Sequence, residues 1–358
     1  MKSHEVVIAI NPGSTSTKFA LFNREEAVYE ETVRHSQEDL SKYELVTEQL
    51  DFRYQMIKKS VDSAVEKNDF TVVGCVGRGG PVKPLEGGTY IINETLLEDL
   101  KTCRFANHAS NLGGIIADKM ASDYGINKSY IVDPVTTDNM WDKARISGFP
   151  GIERACRVHA LNIKSVARKT AEKIGKPFPE TNFVVAHLGG GISIAAVEGD
   201  KIRDVNDGLL GMGPFSPERA GALPLRGVMK LCYEKPENEV KKLFAKKSGF
   251  MGYLGKNDFR EIIEMVEKGD EKAFNYYKGF VYQIAKEIGA YFTAMKCCTD
   301  GIIITGGIAY NERFINDLSD YIGKLSEVHV VPGENELPAL AEGAFRIIDG
   351  KETAKEYN

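Results

Sequence analysis

The segment 11–18 places four consecutive hydroxyl side chains and a lysine directly after a run of β-branched residues. The hydroxyl groups belong to Ser14, Thr15, Ser16 and Thr17. Backbone N–H groups, hydroxyls and one cation in a short turn are what phosphate oxygens require. An ordinary hairpin turn is the alternative, but hydroxyl groups at this density, ending in Lys18, favour phosphate binding. The P-loop pattern is absent, and a strand is predicted to follow.

Glycine clusters occur at other places where predicted strands end. Gly189–Gly191 and Gly306–Gly307 each follow a run of β-branched residues, and Gly211 lies in a further glycine-rich stretch. Glycine lets the backbone approach a ligand closely or turn with positive φ, but it also serves tight packing. The G-x-G-x-x-G fingerprint is absent, which argues against a dehydrogenase.

Three charged residues stand beside small residues or at a predicted strand end. They are Arg78, Asp133 and Arg219. An aspartate at the carboxyl end of a strand in an α/β fold lies where ligands and Mg²⁺ usually bind. A surface ion pair worth ~0–1 kcal/mol is the alternative for each arginine. A guanidinium flanked by glycines is open to a carboxylate or phosphate, so a binding role is at least equally favoured.

The elements that must position these residues repeat one module. Predicted strands cover residues 6–10, 18–22, 183–188, 193–202 and 302–305. The first four form two hairpins, one around the hydroxyl turn and one around Gly189–Gly191. Helical periodicity occurs over residues 50–65, 166–174 and 271–295. Strands alternating with helices predict an α/β fold in each half.

The length of 358 residues predicts two domains. The glycine and proline residues of the segment Gly148–Gly151 predict the boundary between the two domains. We therefore assign residues 1–150 to an N-terminal domain and 151–337 to a C-terminal, nucleotide-binding domain. The terminal helix, residues 338–358, is compatible with either half and is assigned to the first.

Composition and charge limit the classes of molecule that this protein is expected to bind. The 46 Lys+Arg against 51 Asp+Glu give a net charge of -5, which disfavours nucleic acid and anionic membranes. No apolar run reaches ~18 residues, and no secretory signal is recognised, so a cytoplasmic protein is expected. The six cysteines lack the spacing of zinc sites or disulfide scaffolds.

Taken together, these motifs resemble those of the carboxylate kinases that form acyl phosphates, in the actin-like ATPase superfamily of acetate and sugar kinases. Residues 11–18 are similar to the first family signature, in the variant typical of the butyrate branch, and 187–193 to the second. The resemblance extends over essentially the whole chain. It implies two duplicated ribonuclease H-like domains with mixed β-sheets flanked by helices, and a cleft between the domains.

The resemblance also assigns residues to the site. The catalytic residues that it implies are Asn11, Arg78, Asp133, His159 and Arg219. Phosphate and nucleotide contacts are implied for Ser14, Ser16, Lys18, His187, Gly189, Gly190, Gly191, Gly211, Gly306, Gly307 and Asn311. The implied substrate pocket contains Gly80, His108 and Val158. By themselves the histidines at 108, 159 and 187 would more often be buried structural residues.

A magnesium ion bound with ATP or ADP is implied near Asp133 and a C-terminal glutamate. Glu334 and Glu336 are both candidates, and Glu336 is preferred because it directly precedes an apolar helix. In the acetate branch a glycine follows the histidine equivalent to His159, and a second histidine comes four residues after it. Here those positions hold Ala160 and Ile163, so the second histidine is not expected to be needed.

The implied reaction is reversible transfer of the γ-phosphoryl group of ATP to a short-chain carboxylate, giving an acyl phosphate and ADP. Butyrate is the expected acid, because Gly80 and Val158 are smaller than their acetate-branch counterparts and leave room for methylenes worth ~0.8 kcal/mol each. Isobutyrate or other short acids are alternatives, as is a non-catalytic actin-like ATPase module. A homo-oligomer is also expected.

Overall fold

The structure, a computed structural model, describes residues 4–358 and divides into two compact units. Unit 1 contains the described residues up to Asp138 together with 335–358, and unit 2 contains 139–334. Unit 2 thus begins before the boundary predicted at Gly148–Gly151. The reason is that Trp141 packs with unit 2, where its N–H donates to the Arg203 carbonyl at 2.9 Å.

Unit 1 is built on a six-stranded mixed sheet. Its strands are β1 (Glu5–Pro12), β2 (Ser16–Phe22), β3 (Ala27–Arg34), β4 (Thr71–Arg78), β5 (Thr89–Ile91) and β6 (Ser129–Val132). They lie in the order β3-β2-β1-β4-β6-β5. Strands β1, β4 and β6 are parallel, whereas β1–β2–β3 form an antiparallel meander and β5 is antiparallel to β6.

Helices cover both faces of the parallel part of this sheet. The helices of unit 1 are α1 (Gln37–Leu40), α2 (Leu50–Asn68), α3 (Glu94–Lys101), α4 (Asn111–Asp123) and α13 (Glu336–Ile348). Gly74 and Gly77 are three residues apart on β4 and face opposite sides of the sheet. A Cβ at Gly74 would meet Ile348 of α13, and one at Gly77 would meet Gly113 of α4. Strand β1 is accordingly buried on both faces.

Unit 2 repeats the plan with five strands. They are β7 (Asn182–Leu188), β8 (Ile192–Glu198), β9 (Lys201–Val205), β10 (Gly301–Gly306) and β11 (Val328–Pro332), in the order β11-β10-β7-β8-β9. Strands β7, β10 and β11 are parallel, and β7–β8–β9 form the antiparallel meander. The two hairpins predicted from the sequence are therefore β1–β2 and β7–β8.

The helices of unit 2 bury both faces of its sheet as well. They are α5 (Asp142–Arg145), α6 (Ala160–Lys173), α7 (Leu225–Glu234), α8 (Glu237–Lys246), α9 (Gly249–Leu254), α10 (Phe259–Glu267), α11 (Glu271–Ala294) and α12 (Glu312–Ile322). Val184 and Ala186 of β7 pack with the core that contains α10, α11 and α12. Phe183 and Val185, on the opposite face, pack in a second core with α6. Within residues 4–358, no helix has the length and apolarity to cross a membrane.

Candidate active site

In unit 1, three of the predicted catalytic residues lie where neighbouring parallel strands end. Asn11 is near the end of β1, Arg78 ends β4, and Asp133 directly follows β6. Since β1, β4 and β6 are adjacent and parallel, their carboxyl ends share one edge of the sheet. The sheet order thus places these residues, which are far apart in the chain, along one edge.

Glu336, at the start of α13, joins two of them. Asn11 Nδ2 donates to Glu336 Oε2 at 2.5 Å, and Arg78 Nη1 donates to Glu336 Oε1. The Arg78 and Glu336 side chains retain 22% and 18% of their exposure, so the ion pair is partly shielded from water. Glu336 therefore positions the guanidinium of Arg78, and of the two C-terminal glutamates it is the one in this cluster.

Two further predicted residues of unit 1 are fixed by local bonds. His108 Nδ1 shares a 2.7 Å hydrogen bond with Ser110 Oγ, and burial together with the Arg78 charge lowers the pKa of His108. Asp133 adopts a positive φ of 39°, and its Oδ1 accepts from the Gly88 N–H at 2.8 Å. The lowered pKa keeps His108 uncharged beside Arg78 at neutral pH.

The hydroxyl turn between β1 and β2 is closed by a 2.7 Å bond from the Gly13 N–H to the Ser16 carbonyl. Ser14, Thr15 and Lys18 are exposed, so polar groups of the turn are open to solvent. This arrangement is suited to an anion, because hydroxyl and backbone N–H donors that face solvent can be reached by it directly.

In unit 2, His159 and Arg219 both lie against the glycine turn between β7 and β8. A Cβ at Gly191 would come within 2.4 Å of Arg219 Nη1 and 3.2 Å of His159 Cε1. Arg219 Nη1 donates to the Gly208 carbonyl, while its buried Nε has no hydrogen-bond partner among the described residues. Only glycine at 191 permits this approach, so the turn supplies space for the guanidinium of Arg219 and the imidazole of His159.

The loop that carries Arg219 is fastened to the same turn. Ser216 Oγ donates to the Gly190 carbonyl at 2.7 Å and accepts from the Arg219 N–H at 3.2 Å. The turn at Gly189–Gly191 (the glycine turn) and the loop that carries Ser216 and Arg219 are therefore joined by hydrogen bonds into one unit, the glycine-turn assembly.

His187 stacks on His159, with ring centroids 4.2 Å apart. His159 Nδ1 lies 2.9 Å from Ser193 Oγ, and His187 Nδ1 lies 2.7 Å from Asn162 Nδ2. An amide Nδ2 is a donor, so His187 Nδ1 is the acceptor in this hydrogen bond. Asn162 was not singled out in the sequence, although its place one turn after His159 on a helix was a usable signal.

Unit 2 also contains a cavity of about 780 Å³. It is lined by Gly189, Gly190, Pro217, Asn257, Asp258, Phe259, Arg260, Gly307, Ile308, Tyr310, Asn311 and Glu334. Four of the predicted nucleotide contacts, Gly189, Gly190, Gly307 and Asn311, therefore share one cavity. The segment 257–260 was missed, because it has no glycine or hydroxyl pattern. Asn311 also caps α12 by accepting from the Phe314 N–H at 2.9 Å.

Gly306 and Gly211, two other glycines predicted to contact the nucleotide, do not line this cavity. Gly306 has a positive φ of 90°, and a Cβ there would lie 2.3 Å from the Leu188 carbonyl oxygen. Its glycine is required for the close packing of β10 on β7. Gly211 lines a separate cavity of about 270 Å³ beside α8.

The two small residues predicted to enlarge the substrate pocket are themselves packed. A Cβ at Gly80 would lie 2.2 Å from Asn111 Oδ1, so the space beside Gly80 is filled by the start of α4. Val158 is 8% exposed and belongs to the core that contains α6. Their effect on acid size remains a prediction.

The residues fit a magnesium ion that is held mainly by nucleotide phosphates. No cluster of three or more His, Cys, Asp or Glu suited to a metal occurs within residues 4–358. Mg²⁺ in phosphoryl-transfer enzymes commonly uses only one or two carboxylates, with waters and phosphates as the other ligands. Asp133 and Glu336, at one sheet edge, are donors of this class.

Sequence comparison gives close relatives over nearly the full length. A protein of Clostridium botulinum (strain Alaska E43 / Type E3) described as "Probable butyrate kinase" is 45% identical, covering 98% of this chain and 99% of the relative. A protein of Enterococcus faecalis with the same description is 45% identical, covering 99% and 98%. The profile of the Acetokinase family matches residues 151–341.

Solved structures share the fold. Acetate kinase of Porphyromonas gingivalis superposes with a TM-score of 0.76 at 18% identity, covering 96% of this chain and 100% of that one. A propionate kinase of Francisella tularensis gives 0.74 at 20% identity, covering 95% and 98%. The predicted fold class of two mixed sheets flanked by helices is confirmed. With the family profile and the full-length identity to its relatives, these likenesses show that the chain belongs to the acetokinase family.

Proposed function

We propose that this protein transfers the γ-phosphoryl group of ATP reversibly to a short-chain carboxylate, with butyrate as the preferred acid. The observation that carries the proposal is the 45% identity, over nearly the whole chain, to relatives described as probable butyrate kinases. The clusters around Arg78 and Arg219 support it, because each offers a cation to an anionic reactant.

The chemistry needs no general base. A carboxylate is already a nucleophile at neutral pH, so the protein must align it with the γ-phosphorus and neutralise charge as the phosphoryl group transfers. We assign Arg78, oriented by Glu336, to the carboxylate. Arg219 and His159, brought together at Gly191, are assigned to the transferring phosphoryl group.

The nucleotide is assigned to the cavity of unit 2. Gly189, Gly190 and Gly307 give it walls without side chains, which allow a phosphate chain to approach backbone N–H groups. Asp133 and Glu336 would hold Mg²⁺ with the phosphates. The chemistry that a bound ion would supply there is neutralisation of phosphate charge.

The direct test is carboxylate-dependent formation of an acyl phosphate. Protein, ATP and Mg²⁺ are incubated with butyrate in the presence of hydroxylamine, which traps acyl phosphate as a hydroxamate. We expect hydroxamate in proportion to ADP, and none without butyrate. ATP hydrolysis that does not depend on a carboxylate would instead favour an actin-like ATPase module.

The preferred acid is tested by specificity constants for acetate, propionate, butyrate, isobutyrate and valerate. We expect kcat/KM for butyrate to exceed that for acetate by roughly 10-fold to 200-fold, the range that one or two buried methylenes provide. A maximum at isobutyrate would keep the reaction and change the substrate.

A homo-oligomer is proposed as well. Leu225, Met229 and Tyr233, spaced by four residues on α7, are exposed and form an apolar stripe. Sedimentation velocity measures the assembly, and a monomer at micromolar concentration contradicts this part of the proposal. We place the activity in the cytoplasm, where ATP is supplied.

A further inference from the structure

Beneath the hydroxyl turn of unit 1 lies an arginine whose side chain has no exposure at all. Arg53, on α2, is 0% exposed, and burial lowers its pKa to about 10. No carboxylate forms an ion pair with it in the part of the chain that the structure describes. A buried guanidinium without a counter-charge is costly unless its donors are satisfied, so its position needs an explanation.

Three of the hydrogen bonds that Arg53 donates go to backbone carbonyls of the turn. Nη1 donates to the carbonyls of Gly13 at 2.8 Å and Ser16 at 3.3 Å, and Nη2 to that of Ser14 at 3.2 Å. The remaining carbonyl, that of Thr15, accepts from the His35 N–H at 2.9 Å. All four carbonyls of residues 13–16 are therefore held on the inner side of the turn.

The outer side shows the complementary pattern. Within residues 4–358, no protein group accepts a hydrogen bond from the N–H groups of Ser14 and Thr15. The side chains of these two residues are exposed. A turn with its carbonyls tied inward and its N–H groups free outward presents positive partial charge to solvent, which is the arrangement that binds phosphate oxygens.

Arg53 is itself held by Gln49, one helical turn before it. Gln49 Oε1 accepts from Nε at 3.0 Å and from Nη2 at 2.8 Å. The guanidinium plane is thus fixed from both sides, by the helix and by the turn. A lysine at this position would keep the charge but could not form the same fork of bonds.

We propose that Arg53 is a positioning residue that locks the peptide groups of the Gly13–Ser16 turn in the orientation that receives a phosphate oxygen of the reactants. Without it, three carbonyls lose a donor, and the peptide planes are free to rotate and present carbonyl oxygen to the anion. This inference rests on the proposed function. It adds a residue that touches neither substrate and acts only through the turn.

The test compares Arg53→Lys, Gln49→Ala and the double variant with wild type. For each we measure kcat, KM for ATP, KM for butyrate and the melting temperature. We expect Arg53→Lys to lower kcat roughly 10²-fold, the loss seen when an anion-stabilising group is removed. Gln49→Ala should lower kcat about tenfold, because it loosens Arg53. KM for ATP should change less than about threefold, because the nucleotide is assigned to unit 2.

Non-additivity separates positioning from a general loss of stability. If Gln49 acts through Arg53, adding Gln49→Ala to Arg53→Lys should lower kcat less than about threefold further. Arg346→Lys is the matched control. Arg346 is a mostly buried arginine of the same unit, paired with Glu352 at 2.8 Å, and its replacement should lower the melting temperature without changing kcat.

A kcat for folded Arg53→Lys within about threefold of wild type overturns the inference, as does an additive double variant. If Arg53→Lys does not fold, Gln49→Ala decides alone, and a wild-type kcat in that variant overturns it. A wild-type protein without carboxylate-dependent activity overturns the proposed function and the inference together. An active wild type with unaffected variants overturns the inference only.

Discussion

The turn at 13–15 in unit 1 and the turn at 189–191 in unit 2 occupy the same place in two sheets of the same plan. The first carries hydroxyl side chains and is supported from beneath by buried Arg53. The second carries no side chains and has Arg219 and His159 pressed against it. One turn therefore offers donors of its own, whereas the other makes room for donors from elsewhere.

This difference shows that two hairpins with the same backbone topology can serve different functions. A β-hairpin at the edge of parallel strands supplies only a position, and the residues at its tip decide what reaches the ligand. Substitutions that break each turn in its own way should therefore have different consequences, and the following changes test that expectation.

Arg219→Ala should have the largest effect, because it removes the cation for which the glycine turn makes room. We expect turnover to fall by roughly 10²-fold to 10³-fold. The melting temperature should change little, since the side chain is only partly buried. Arg203→Ala, which removes an arginine of unit 2 paired with Glu198 at 2.8 Å, is the control and should keep wild-type turnover. Equal turnover for both variants would remove Arg219 from the site.

His35, whose backbone N–H donates to the Thr15 carbonyl of the unit 1 turn, is expected to make the free energy of unfolding depend on pH. Burial, then the Arg53 charge, lowers the pKa of His35 to about 4, with Asp39 opposing. The unfolded chain binds this proton near pH 6.5, so stability falls as pH decreases from 6.5 towards 4, by at most roughly 3 kcal/mol. Urea unfolding of wild type and His35→Gln measures it.

The slope of unfolding free energy against pH should be shallower in His35→Gln than in wild type over that interval. Identical slopes would show that folding does not lower the pKa of His35.

Gly191→Ala should disturb unit 2 without changing any charge. The added methyl group meets Arg219 Nη1, which must move away, and we expect about a 100-fold loss of turnover with little loss of stability. The neighbouring Gly190→Ala meets no atom within 4 Å, so its turnover should stay within about threefold. A change confined to KM for ATP in Gly190→Ala would be consistent with the assigned cavity. Wild-type kinetics for Gly191→Ala would exclude the steric argument.

Removing single hydroxyls from the unit 1 turn should have the smallest effect. Ser14→Ala and Ser16→Ala each delete one of several donors, and we expect about a tenfold loss of kcat/KM, the value of one hydrogen bond to a charged group. Ser16→Thr should recover most of the activity, because it keeps the hydroxyl. Ser41→Ala, an exposed serine of the same unit, is the control. Loss in the control as large as in the turn would argue against the assignment.

The local part of this architecture was predictable. Turn residues between β-branched runs indicated both hairpins, and the long periodic segment 271–295 corresponds to α11 at Glu271–Ala294. The pairing of Arg78 with Glu336 was not predictable from spacing, because it depends on which strands are neighbours and on α13 packing against them. Contacts across such distances in the chain leave no periodic signal.

Arg53 and Gly306 show two kinds of contact that the sequence pattern alone does not identify. Arg53 follows Leu50 by three positions and precedes Tyr54 by one, so it lies near the apolar face of the predicted helix, and a charged residue there was a signal of a buried polar contact. Gly306 is the second case, because a glycine that strand packing requires has the same appearance in the sequence as one that borders a ligand, and its contact with the nucleotide stays a prediction.

The return of residues 335–358 to unit 1 has a consequence for biosynthesis. Tyr357 is 2% exposed and donates to Asp99 Oδ2 at 2.6 Å, and α13 supplies Glu336 beside Arg78. On the ribosome these residues emerge after the whole of unit 2, so the strands of unit 1 can bind α13 only after unit 2 has been made. Unit 2, continuous in the chain, can fold before then. The cluster of Asn11, Arg78 and Glu336 is therefore completed only when translation has passed Glu336, and a chain halted before that point lacks the carboxylate that orients Arg78.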